Sequence, residues 1–286
     1  MSHEATTTSP KKMAIRMAKI WKAGMGDAYP IDVRTLALEI AKARRERINI
    51  LANENLPDKF EGVITLDDKT DSWIILVKKN PNNLGRYNFS LAHEFGHYLL
   101  HREKLSIIEC SFESIYSPEA SLREKQANEF ASTLLMPADD FRKQIEHTEL
   151  SIDTLRVLAN RYSVSFTAAG IRFTQLTNSR CGVVCIRDGF VLWSSLSQRA
   201  LKLRKLLFKG YELPQDFYDQ VLSASEVTFS VPETYEIDGL PPFQFEAKKI
   251  SATGDIMLFI EFEDDYTELE DPTEETDWGN PDNIHF

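Results

Sequence analysis

His93-Glu94-Phe95-Gly96-His97 is the part of this 286-residue sequence whose residue types and spacing could do chemistry. The surrounding apolar pattern predicts a helix from about Asn88 to His101. A spacing of four residues then puts two imidazoles on one helical face, one turn apart. Two ring nitrogens so placed can meet one zinc ion at about 2.0–2.1 Å. Glu94 is offset by about one hundred degrees, beside such an ion and not on it. That is the place for a general base acting on a water molecule. Gly96 leaves room for another element to pack closely. The plain alternative is a helix that carries two ordinary histidines.

A zinc site of this kind needs a third donor. The metzincin pattern would want a histidine at position 103, which is Glu103. His101 lies two turns beyond His93, too far along the axis to share an ion. A carboxylate from a separate helix is the other arrangement, and Glu109, Glu113, Glu119, Glu124 and Glu129 all follow the motif. A second helix is predicted from about Leu122 to Met136, stopped by Pro137, with an apolar face of Ala127, Phe130, Ala131, Leu134 and Leu135. Glu124 falls on that inward face, where a carboxylate is costly unless paired or bound to metal. Glu129 points away. Glu124 is therefore the favoured third ligand. Asn128, four residues on, is placed to orient a ligand from behind.

Two segments resemble motifs of the ImmA/IrrE metallopeptidases. One is Arg86-Tyr-Asn-Phe-Ser-Leu-Ala-His-Glu-Phe-Gly-His-Tyr-Leu-Leu-His101. The other is Glu124-Lys-Gln-Ala-Asn-Glu-Phe-Ala-Ser-Thr-Leu-Leu-Met-Pro137. Their order and separation match, and the resemblance covers roughly residues 30–175. It implies a zinc-dependent endopeptidase of the gluzincin type, with His93, His97 and Glu124 holding zinc and Glu94 as catalytic base. It also implies a protein substrate, a helix-turn-helix repressor of the lambda-repressor-like class whose cleavage relieves repression. The competing expectation is an anti-repressor or toxin–antitoxin partner that binds without cutting. Phe95 and Gln126 depart from the family's usual residues. A further donor for the oxyanion is expected, with Tyr87, His101 and Tyr162 as candidates.

The elements around this site predict an α+β protein. Residues 1–29 carry an N-terminal helix, in which Met13, Ile15, Met17, Ile20 and Trp21 recur at helical spacing. Asp32 is an N-cap candidate for a second helix. Short strands follow, with a hairpin around residues 67–71. Residues 30–150 form the metallopeptidase domain. Residues 151–178 form a helix-turn-helix-like pair, read as structural because the second helix carries Arg172 as its one basic residue, so direct DNA binding is not expected. Residues 179–262 read as a smaller α+β domain that opens on a hairpin around Asp188-Gly189.

Composition excludes several classes. Hydrophobic residues make up 42% and charged residues 27%, which suits a globular core. No stretch approaches the roughly 18 uncharged apolar residues of a membrane span. Three cysteines argue against a disulfide framework and point to a reducing cytoplasm. The net charge of −11 has one source. Residues 261–286 hold eleven Asp or Glu and no Lys or Arg, which leaves 33 acidic against 33 basic residues before them. Such a tail is expected to be disordered over 263–286. The sequence carries no signal of oligomeric state.

Overall fold

The computed structural model describes residues 9–57, 61–79, 83–102, 118–205, 207–227, 230–235, 237, 240–250 and 254–263. The chain divides into two units. One ends at Phe141 and also takes Leu158–Ala168; the other is formed by Arg142–Val157 and by the chain from Ala169 onward. The division falls within the helices after Pro137.

In the first unit, α1 (Pro10–Met25) buries Ala14, Met17 and Trp21. Ile15 and Ile20 belong to the apolar pattern of the sequence but stay 47% and 41% exposed. They lie about 100° to either side of the stripe that turns inward. α2 (Val33–Ala43) starts where expected: Asp32 accepts the backbone N–H of Thr35 at 3.1 Å.

The strands β1 (Arg47–Asn53), β2 (Gly62–Asp67) and β3 (Ser72–Lys78) form one sheet in the order β1-β3-β2. β2 and β3 are the expected antiparallel hairpin, whereas β1 runs parallel to β3. Ile48, Ile50, Ile64, Trp73, Ile75 and Val77 are buried.

Two helices complete this unit around the sheet, α3 (Leu84–Leu100) and α4 (Pro118–Leu135). Each begins about one turn before the apolar pattern does, because its first turn needs a cap or a proline rather than a core residue. Asn83 caps α3 by accepting the N–H of Arg86 at 3.0 Å. The inward face of α4 is the expected one, with Ala127, Phe130, Ala131, Leu134 and Leu135 all fully buried. α3 crosses it closely at Gly96, where a Cβ would lie 2.9 Å from Phe130 Cδ1 and 3.4 Å from Ala127 Cα. The start of α3 is pinned as well. A Cβ on Gly85 would meet the Val164 carbonyl carbon at 2.5 Å and the Ser165 nitrogen at 2.6 Å. These are backbone atoms and cannot step aside, so Gly85→Ala should destabilise the fold by about 1–3 kcal/mol. A lowered denaturant midpoint at unchanged m-value would show it.

The helices α5 (Ala138–Ile145), α6 (Ile152–Tyr162) and α7 (Phe166–Leu176) follow, and the division between units passes through each. Ala169–Thr174 of α7 are buried one after another, so this helix has no open face there to read a DNA groove.

The second unit is built on a five-stranded antiparallel sheet in the order β5-β4-β8-β7-β6. Its strands are β4 (Cys181–Arg187), β5 (Phe190–Leu196), β6 (Ser230–Tyr235), β7 (Phe243–Lys249) and β8 (Ile256–Phe262). Asp188 and Gly189 take φ of 51° and 83°, the paired positive values of a two-residue hairpin turn. The sequence pattern did not suggest α8 (Gln215–Val227), which packs on β7 and buries Phe217, Val221 and Ala224. A 3-10 helix, Gln198–Lys205, carries part of a basic run.

Cys181 and Cys185 are buried in β4, and burial pushes their thiols up to about 12 and about 11. Both are inert at neutral pH by that measure. The acidic tail expected over 263–286 lies outside the described residues from 264 on. No helix among the described residues is long and apolar enough to cross a membrane.

Candidate metal centre

α3 and α4 bring His93, His97 and Glu124 together, one donor atom from each lying within 4.8 Å of the others. Glu124 Oε2 is 3.1 Å from His93 Nε2, and its Oε1 is 3.2 Å from His97 Nε2. The two Nε2 atoms are 3.0 Å apart. Glu109 and Glu113 lie outside the described residues, as does the side chain of Glu119. Glu129 turns elsewhere and pairs with Lys11 at 3.1 Å.

One expectation is corrected. Glu124 is expected on the buried apolar face of its helix, but its side chain is 59% exposed. It sits where the inward face of α4 reaches the rim, so the three donors open toward solvent on the Glu124 side. His97 is buried and His93 half-buried.

The hydrogen bonds behind the rings decide which nitrogens face the centre. His93 Nδ1 is 2.9 Å from Asn128 Oδ1, which can only accept, so in the neutral ring the proton sits on Nδ1 and Nε2 is the donor atom for a metal. His97 Nδ1 is 3.0 Å from His101 Nδ1, and His101 Nε2 is 2.8 Å from Gln126 Oε1. Burial lowers the His101 imidazole to about 4, against a smaller raising by Gln126, and the ring is buried between an amide and a second imidazole. Its one proton serves Gln126, and His97 must donate from Nδ1. This bonding leaves both Nε2 atoms turned to the centre, where each can serve as a ligand.

Two imidazole nitrogens and a carboxylate converging on one point can share a metal ion in place of protons. This donor set fits a divalent metal of the zinc kind. The electrostatics agree. Burial alone would lower His93, but the bond from Glu124 and the charges of Glu94 and Glu124 raise it above its ordinary value. Desolvation opposes ionisation of Glu124, yet the bonds from His93 and His97 outweigh it and hold the carboxyl well below the usual range. The cluster draws positive charge to its centre.

Glu94 follows His93 on α3 and is only 6% exposed. Burial pushes its carboxyl above the usual range. The start of β2 lies against it: a Cβ on Gly62 would fall 2.8 Å from Glu94 Oε1 and 3.0 Å from its Cγ. The sequence shows no signal for this contact, because it joins residues of a strand and a helix far apart in the chain. Gly62→Ala should displace the carboxylate. We expect a loss in turnover of up to about 10²-fold, the scale of a 1 Å misplacement, with metal content unchanged.

Two of the three oxyanion candidates are committed elsewhere. Tyr162 is fully buried, and its hydroxyl donates to Asp140 Oδ2 at 2.6 Å. Burial and Asp140 together push that phenol up. His101 faces the back of His97. Tyr87 lies half-buried nearly two turns before His93 on α3.

Fold and site together define a metallopeptidase-like α+β protein. The family model described as the IrrE N-terminal-like domain, of the M78 peptidases, matches residues 31–174, just over half of the chain. The chain belongs to this family. No curated protein matches its sequence. Among solved structures it is similar to a Mycobacterium tuberculosis transcriptional regulator, with 18% identity and a TM-score of 0.56 over 88% of this chain and 76% of that one. That likeness shows a shared fold.

Proposed function

We propose that this protein is a zinc-dependent endopeptidase of the gluzincin type, with His93, His97 and Glu124 as ligands and Glu94 as general base. The observation that carries the reading is the convergence of two imidazole nitrogens and one carboxylate on a single point, with a buried carboxylate next in sequence. A zinc ion there supplies Lewis acidity, polarising a peptide carbonyl and easing the deprotonation of a water molecule.

The chain's own residues supply the rest. Glu94 is held in place by the wall at Gly62 and accepts the proton of the attacking water. The same carboxyl then delivers that proton to the departing amine. Asn128 fixes the His93 ring in the orientation the site needs. Among the described residues β2 pairs only with β3, so its outer edge is free to take an extended peptide beside Glu94. An edge of this kind suits a segment of a protein substrate that can leave its fold.

The substrate in this reading is a helix-turn-helix repressor of the lambda-repressor-like class, cut to relieve repression in the cytoplasm. The shared architecture with a transcriptional regulator supports a regulatory setting. Direct DNA binding through α7 is disfavoured by its burial. The test is a mass spectrum of a repressor encoded beside this chain, after incubation with the zinc-loaded protein. A shortened product that vanishes with chelator is expected. A stable complex with an intact repressor would overturn cleavage in favour of sequestration.

A further inference from the structure

We propose that His101 and Gln126 form, with His97, a three-member relay that fixes the proton of the His97 ring on Nδ1 and strengthens its Nε2 as a metal donor. The relay rests on the reading of His97 as a ligand. His101 and Gln126 do not touch the centre, so both are positioning residues.

The chain of donors has one consistent direction. An amide oxygen can only accept, so the 2.8 Å contact at Gln126 Oε1 requires N–H at His101 Nε2. His101 is 5% exposed and bonds an amide and a second imidazole rather than a carboxylate, so its ring stays neutral, carries one N–H and accepts at Nδ1. The 3.0 Å contact at His97 is then an Nδ1–H donated to His101. With His97's only proton so used, its Nε2 lone pair faces Glu124 and His93.

The opposite direction would put N–H on His97 Nε2 and close the site to a metal. His97 and His101 are 6% and 5% exposed, so bulk water cannot take over the role of either partner. Hydrogen bonding behind a ligating imidazole raises its basicity and fixes its plane.

The two ligand rings are thus supported unequally. His93 ends after one step on Asn128, whereas His97 is backed by a second ring and then an amide. Gln126 and Asn128 flank the inward Ala127 on α4, so one helix supplies both terminal acceptors, one to each side. The repeated four-residue step from His93 to His97 to His101 aligns the rings along α3.

The test measures zinc affinity of the full chain by chelator competition, together with the tautomers in long-range ¹H–¹⁵N spectra of the zinc-loaded protein. The spectra should place the ring proton of His101 on Nε2 and that of His97 on Nδ1. His101→Phe keeps a ring but removes the acceptor, and zinc binding should weaken on the order of 10–100-fold. His101→Asn, whose side-chain oxygen can take the Nδ1 position, should recover part of that loss. Gln126→Leu should weaken binding in the same direction. Gln126→Glu should tighten it, because a carboxylate is the stronger acceptor. A loss caused by packing alone would not reverse sign between these two variants.

Gln126 is only half-buried, so its pair of variants decides the matter if His101→Phe does not fold. Unchanged affinity across folded variants, or a His101 proton found on Nδ1, overturns the relay while leaving the ligand set intact. Failure of the wild-type chain to take up zinc overturns the ligand set itself, and the relay with it.

Discussion

Glu94→Gln should bind zinc as tightly as the wild-type protein and cut its substrate about 10²–10⁴-fold more slowly, the range expected when a general base is removed. That is roughly 3–5 kcal/mol of activation barrier. The substitution keeps the shape of a side chain that is 6% exposed and walled by Gly62. It removes only the ability to accept a proton. Burial already raises the Glu94 carboxyl, so the site keeps an unusually basic carboxylate next to His93 and His97. An amide at the same position loses that basicity and costs less to bury. Unfolding midpoints should therefore not fall. The decisive readout is the pair of measurements: one zinc per chain with cleavage slowed by that factor. Cleavage at the wild-type rate would remove Glu94 from the chemistry and leave it a buried structural carboxylate.

The centre was largely legible because helical periodicity carries it. Four-residue steps fix which side chains share a face, so His93, His97, Glu124 and Asn128 could be placed on two facing helices from the sequence alone. The same argument misjudged the depth of Glu124. Periodicity gives direction around a helix but not distance from the rim, and the carboxylate proved more than half exposed.

Contacts between unlike elements left no pattern to read. Gly62 against Glu94 and Gly85 against Val164 are close approaches whose partners sit on separate elements. The β2–β3 hairpin was visible through its turn, but the parallel pairing of β1 with β3 was not, because no local turn encodes it. α8 was missed for another reason. Phe217, Val221 and Ala224 form a short inward stripe, too few apolar positions to stand out beside the strong strand patterns around them. In the sequence Gln126 stands out only as a departure from the family pattern. Its place behind His101 depends on how α3 and α4 cross, which Gly96 and Phe130 determine.

Glu124→Ala should abolish both zinc uptake and cleavage. His93 and His97 come from adjacent turns of one helix, so without Glu124 the ion would have two neutral donors and no charge to balance its own. The loss should exceed the 10–100-fold that removing an outer partner costs, because here a ligand itself is gone. Stability provides an independent reading. An ion held between α3 and α4 stabilises the fold by mass action, by about 2.7 kcal/mol when free zinc stands at 100 times its dissociation constant. Chelator should therefore lower the unfolding midpoint of the wild-type chain and leave that of Glu124→Ala unmoved. Glu129→Ala is the matched control on the same helix: it breaks an exposed pair with Lys11, worth at most about 1 kcal/mol, and should retain zinc and activity. Equal zinc content in Glu124→Ala and the wild-type protein would separate the carboxylate from the imidazoles it faces, and the three-donor centre would have to be abandoned.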